Sequence, residues 1–244
     1  MNAKTSCQDF ENLDPKLLAF VDLTIHELKT PVSVLKAYIQ LLERQLLSAG
    51  STDGLTTVTK MNMQLDKLIH LIADIRDGLS SGSDQMYCLP QIQKPLEVLN
   101  SCLTIAKETY KNLTITFRSD NSDPLLFFDN DRIEQVIYNL IANAVKYAGT
   151  EEPLILESLT AGDNFLLRVI DNGPGIPEHE RLAIFKRFHR IANHEKQAQP
   201  GFGLGLYVCA QIIEKHGGQI GVDEADGGGA SFWFSLPVYK KDEQ

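Results

Sequence analysis

Two short motifs carry the groups with the clearest chemical potential. HELKTP, residues 26–31, sets a histidine, a glutamate and a threonine on one stretch, and NLIANAVKY, residues 139–147, sets two asparagines and a lysine at helical spacing. An imidazole with an ordinary pKa of about 6.5 is mostly neutral at pH 7, which leaves a ring nitrogen free to attack an electrophilic phosphorus. Amide oxygens suit magnesium and a lysine suits phosphate. Together the motifs point to phosphoryl transfer from a metal nucleotide.

Three more segments add to that chemistry. Asn139 and Asn143 lie one helical turn apart, and asparagine inside a helix costs up to about 0.7 kcal/mol against alanine, so the pair asks for a reason. In DNGPGIP, residues 171–177, Asp171 ends a strand as an acceptor suited to the adenine amino group, and the glycines leave the backbone open to close approach. Guanine would turn a carbonyl oxygen toward that carboxylate, and a lost hydrogen bond to a charged group costs about 1.5–3 kcal/mol, so ATP is expected over GTP. GFGLGL, residues 201–206, opens a helix whose free N–H groups and dipole can hold phosphate oxygens. It is neither a P-loop nor a dinucleotide fingerprint. Between these, IFKRFHR, residues 184–190, has Phe185 and Phe188 to anchor a short helix. Its Arg187, His189 and Arg190 face either phosphate or solvent. The polar, aperiodic residues 192–200 suit a lid over the nucleotide.

The elements that position these groups fall into two sets. Leu17, Val21, Leu28, Leu35, Ile39, Leu42 and Leu46 recur at helical spacing, which predicts one long helix kinked near Glu27 by Pro31. The alternative, a second helix capped by Thr30, does not account for a stripe that continues in phase through the proline. His26 falls roughly 160° from Leu28 and so faces away from the seam. After the turn-rich SAGSTDG come Val58, Met61, Leu65, Leu68, Ile72, Ile75 and Leu79 in heptad spacing. Such a hairpin alone leaves apolar stripes in water, so a second copy is expected to complete a homodimeric four-helix bundle; the alternative is packing against the rest of the same chain. Beyond SSGSD the pattern becomes mixed. A strand around Leu113, Ile115 and Phe117, a hairpin across AGDN and a helix over residues 131–147 predict an α/β sandwich. The expected fold class is thus α+β, with domains 1–86 and 87–244.

Composition narrows the field. A chain of 244 residues with 43% hydrophobic content supports one or two domains, and a net charge of −9 without a basic block speaks against a nucleic-acid partner. No secretory leader and no apolar run of about 18 residues is present, so no membrane contact is expected within the chain. Cys7, Cys88, Cys102 and Cys209 lack metal-knuckle spacing, which fits a reduced, cytoplasmic setting.

These five segments, in this order, resemble the transmitter region of two-component sensor histidine kinases, from about Leu17 to Pro237. HELKTP is similar to the H-box of the dimerisation and histidine-phosphotransfer domain. NLIANAVKY, DNGPGIP, IFKRFHR and GFGLGL are similar to the N, G1, F and G2 boxes of a Bergerat or GHKL-type ATP-binding domain. The resemblance implies that His26 accepts the γ-phosphoryl group of ATP, that Glu27 is the adjacent acid or base, and that Thr30 helps position water for dephosphorylating a response regulator. It implies that Asn143, with Asn139 nearby, binds Mg2+, and that Lys146 and Arg190 approach phosphates. Asp171 would recognise adenine, and Gly201, Gly203 and Gly205 would shape the lid hinge. Tyr147, Gly173, Gly175, Ile176, Leu204 and Leu206 belong to the same pocket motifs. The phosphoryl group would pass to an aspartate of a response regulator receiver domain. The chain departs from the common pattern at Ile25, where serine is frequent, and in lacking a serine-arginine lead into the ATP domain. With no sensor domain before the first helix, the chain is read as the cytoplasmic portion of a larger sensor or as the target of a separate input protein. ATP-hydrolysing clamps similar to gyrase, Hsp90 and MutL are a competing class, but they resemble a glutamate where this chain has Asn139, and an amide cannot activate water as a base. A nucleotide-binding pseudokinase acting as a dimeric scaffold is the other alternative.

Overall fold

The computed structural model describes residues 15–48, 54, 58, 61, 65, 68, 72, 86–149, 152–191 and 203–240. Within the first stretch, side chains are described for Leu28 and residues 32–48. The chain divides into two compact units, Met1–Ser80 and Ser81–Gln244.

In the first unit, helix α1 (Pro15–Ser48) runs without a break through Pro31, as the in-phase stripe requires. Gly54, Val58, Met61, Leu65, Leu68 and Ile72 are helical as well. Val32 and Ile39 are buried with Val58, Leu65 and Ile72, and Leu46 packs on them. Leu28, Leu35 and Leu42 of the same stripe are 47%, 52% and 40% exposed. The cause is the alternation of three and four. Residues 32, 39 and 46 form one heptad row and 28, 35 and 42 the next, and among the described residues it is the first row that packs on the second helical stretch. Met61 and Leu68 are likewise exposed, beside the buried row of Val58, Leu65 and Ile72. The side chains of Leu17, Val21, Ile75 and Leu79 and the kink at Glu27 lie outside the described residues.

The second unit is a mixed α/β layer pair. Its five-stranded sheet has the order β2 (Ile115–Ser119), β4 (Leu154–Ala161), β5 (Asn164–Ile170), β7 (Ala230–Pro237), β6 (Gln219–Glu224). The β2–β4 pair is parallel and the others are antiparallel. The β4–β5 hairpin turns at Gly162, as the AGDN signal predicts. Helices α2 (Pro95–Thr109), α3 (Asn130–Ala148) and α4 (Gly205–Lys215) supply the other layer. Alternation places Leu154, Leu156, Phe165, Leu167, Val169, Phe232 and Phe234 in one core with Ile133, Val136, Ile137, Leu140 and Ala144 of α3 and Val208, Ile212 and Ile213 of α4. Helix α2 and a small sheet pairing β1 (Gln91–Gln93) with β3 (Leu126–Phe128) are additions to the sequence reading. Met86, expected to end the first domain, is buried in this second core. Burial there pushes the Cys102 thiol up to about 12, so the group is an inert core side chain.

On the other face of the sheet, Trp233 lies opposite Arg168 and Gly221. A Cβ on Gly221 would come within 2.5 Å of the indole Cζ2, so the ring rests on bare backbone. Its Nε1 is buried without a hydrogen-bond partner.

Candidate nucleotide-binding site

Helix α3 starts where Asp129 accepts a hydrogen bond from the Arg132 backbone N–H at 3.2 Å, an N-cap that fixes the helix in register. Its apolar residues face the core, which leaves Asn139, Asn143 and Lys146 on the flank, each only partly buried. The Lys146 Nζ stands 5.0 Å from the centre of the Tyr147 ring, within cation–π range.

Strand β5 delivers Asp171, which is 4% exposed. Its Oδ1 accepts from the Gly173 N–H at 2.8 Å and the Ala230 N–H at 3.2 Å. Burial holds the carboxyl above the usual aspartate range, and the two backbone donors oppose that rise without cancelling it. The carboxylate is thus held rigidly in a poorly hydrated place. Gly173 brings the following loop onto the end of α3, since a Cβ there would lie 3.3 Å from Ala148 Cβ and 2.9 Å from Asp171 Oδ1. Gly175 has φ +71° and lies against the Gly229 carbonyl; Ile176 packs on the core.

Helix α4 completes the arrangement. Its first residue, Gly205, sits beside α3, and a Cβ there would stand 3.5 Å from Asn139 Oδ1. Leu204 is the N-cap and no side chain caps the helix, so its first backbone N–H groups remain available to an anion. Leu204 is buried and Leu206 packs on the core, which holds that end in place. Gly203 adopts φ +69° and its carbonyl accepts from the Phe188 N–H at 3.0 Å. Phe188 is itself left-handed at φ +61°, a conformation that L side chains rarely adopt. The F-box segment is therefore tied directly to the start of α4. The short helix expected there is a 3-10 turn at Ala183–Phe185.

In the same segment, His189 Nε2 lies 2.7 Å from Glu180 Oε2, and the Arg187 guanidinium sits 5.2 Å from the Phe188 ring centre. Burial lowers the Arg187 pKa, and its Nε and Nη2 are buried without partners. Arg190 is exposed. Structure thus joins the α3 flank, the Asp171 loop and the Gly203–Leu206 turn. The side chains of His26, Glu27 and Thr30 lie outside the described residues, as do Gly201 and residues 192–200, but the backbone of residues 26–30 is in α1.

Among the described residues no group of three or more His, Cys, Asp or Glu side chains could hold a metal ion. Magnesium is compatible with the site in another way, because it commonly takes one or two protein oxygens and completes its shell with phosphate and water. The Asn139 and Asn143 amide oxygens fit that demand.

Residues 128–240 match the family described as histidine kinase-, DNA gyrase B-, and HSP90-like ATPase. The second unit is accordingly an ATP-binding domain of this GHKL class. Within that class, the chain is a homologue of sensor histidine kinases. It is 32% identical over 222 residues to the adaptive-response sensory kinase SasA of Synechocystis, covering 88% of this chain and 57% of that protein. It is 32% identical over 229 residues to the sensor histidine kinase RcsC of Escherichia coli, covering 90% of this chain and 23% of that one. The chain therefore spans less than two thirds of the length of these relatives. The catalytic domain of histidine kinase ThkA superposes with a TM-score of 0.54 and 28% identity, covering 62% of this chain and 98% of that one. ThkA in complex with the response regulator protein TrrA superposes over 92% of this chain and 62% of that one, with a TM-score of 0.57 and 22% identity, a likeness of fold alone. No described helix is long and apolar enough to cross a membrane.

Proposed function

We propose that the chain is an ATP-dependent protein histidine kinase that phosphorylates its own His26 and passes the phosphoryl group to an aspartate of a response regulator receiver domain. The observation that carries this reading is the apposition of Gly205 at the open start of α4 with the Asn139 amide. It supports a site for phosphates and their metal where an ATP-hydrolysing clamp would need a carboxylate.

Asp171 binds and orients the adenine through its buried carboxylate. The α4 N-terminus, Lys146 and Arg190 hold phosphate oxygens, and Asn143 with Asn139 holds Mg2+, which would offset phosphate charge. His26 on α1 presents a neutral ring nitrogen to the γ-phosphorus. The N–P bond forms as the bond to the ADP oxygen breaks, and Glu27 takes the ring proton. Thr30, one turn further along, would place water for the reverse, dephosphorylating role. The first unit, Met1–Ser80, is the dimerisation domain. Its exposed row of Leu28, Leu35 and Leu42, with Met61 and Leu68, supports burial against a second copy in a four-helix bundle.

Incubation with γ-labelled ATP should leave an acid-labile, alkali-stable phosphate on the chain. Label retained in His26→Gln would remove the assignment. Asn143→Ala should abolish labelling while the protein still melts cooperatively.

A further inference from the structure

The chain reaches the nucleotide domain through residues 86–89, and that segment is held by the two helices that carry the pocket. Arg132 Nε and Nη2 both donate to the Tyr87 carbonyl, each at 3.3 Å. The Leu89 N–H donates to Asp129 Oδ2 at 2.6 Å. Lys215 Nζ, in the last turn of α4, donates to the Met86 carbonyl. His216 closes the set, with Nε2 accepting from the Asp129 N–H at 3.0 Å and Nδ1 against the Ile212 carbonyl at 2.7 Å. A backbone N–H can only donate, so Nε2 is the bare nitrogen and Nδ1 carries the proton.

The geometry is that of two antiparallel rods with a site at one end of their contact and a clasp at the other. Helix α4 begins beside Asn139 and ends beside Asp129. Ten residues of α3 separate those positions, roughly 15 Å of helix. A shift of α3 against α4 at the nucleotide end must therefore be met at the clasp, because helices with buried contacts move as units.

We propose that Arg132, with Asp129, Lys215 and His216, is a positioning residue that couples nucleotide binding to the hold on residues 86–89, the segment arriving from the phosphoacceptor unit. The inference rests on the reading of the Asn139–Gly205 site as a nucleotide site. Coupling is reciprocal: a nucleotide that tightens the α3–α4 contact tightens the grip on the incoming chain, and loss of the grip costs the pocket its ability to report to that chain.

Hydrogen exchange of the full chain, with and without AMPPNP and magnesium, tests it. Amides of residues 87–93 should exchange about fivefold or more slowly with nucleotide bound, within the usual range of such couplings. In Arg132→Ala the slowing should vanish and AMPPNP affinity should fall by no more than that same factor, about fivefold. Arg132→Lys should keep part of it. Lys215→Met, an exposed change outside the pocket, should reduce it independently, which preserves the test if Arg132→Ala folds poorly. No slowing in the parent, or equal slowing in Arg132→Ala and Lys215→Met, would overturn the proposal. So would AMPPNP affinity falling far beyond the lost slowing factor, because Arg132 would then be a support of the pocket itself. A chain that binds AMPPNP but never labels His26 removes the kinase reading and leaves the coupling result standing; a chain that binds none overturns both.

Discussion

Asp171 shows how one side chain can be costly to the fold and necessary to the site. Its folded-state pKa is raised by burial, so the folded chain holds that proton more tightly than the unfolded chain. Stability then falls as pH rises from about 4 through the raised value, and above it the full penalty is present. Asp171→Asn should remove the penalty, because the amide Oδ1 still accepts from Gly173 and Ala230. Its melting temperature at pH 7 should match or exceed that of the parent, with the advantage shrinking toward pH 4. Its ATP affinity should fall by about tenfold or more, the worth of a hydrogen bond to a charged group. A variant that is less stable than its parent at pH 7 would show that the carboxylate, not its burial, supports the loop. The place of Asp171 at the end of a strand running into Gly-rich sequence was legible. The Asp129–His216 and Arg132–Tyr87 contacts were not, because their partners stand 87 and 45 positions apart and involve backbone groups that carry no sequence signature.

At the scale of elements, α3 and α4 were readable because their periodicity and glycine punctuation agree with their packing. Residues Ile133, Val136, Ile137, Leu140 and Ala144 are all buried as their spacing requires. Helix α4 stops where the Gly218 N–H reaches the Ile213 carbonyl at 2.9 Å across Gly217 at φ +71°. The short β1–β3 sheet went unread, since three-residue strands carry too little alternation to stand out. The F-box also defeats a periodicity argument, as its geometry depends on two left-handed residues held by one long-range hydrogen bond. That pairing makes Gly203 the sensitive position at the start of α4. A Cβ there would meet the His189 carbonyl oxygen at 2.8 Å and the Phe188 carbonyl carbon at 2.9 Å, both of them backbone. The left-handed conformation alone costs a side chain about 1–2 kcal/mol. Gly203→Ala should therefore lower AMPPNP affinity by about tenfold or more in calorimetric titration, with cooperative unfolding retained. Unchanged affinity would mean that the Phe188–Gly203 tie does not shape the phosphate end of the site.

The molecule as a whole joins a unit with an incomplete apolar surface to one with a closed core. Sequence periodicity identified the apolar row but not which of its leucines meet the second helical stretch, because adjacent heptad rows have the same spacing. If the proposed dimer forms through the exposed row, replacing Leu35 and Leu42 together by glutamate should leave monomers in sedimentation velocity while AMPPNP binding stays intact. Dimers that persist would move the interface elsewhere.

The separation into units has an optical counterpart. The single tryptophan of the chain is Trp233, seated on the bare backbone of Gly221 within the sheet of the nucleotide-binding unit. Intrinsic indole emission is consequently a local witness to that sheet, whereas far-ultraviolet ellipticity is weighted by the 34 residues of α1. Each unit's loss of order has its own colour.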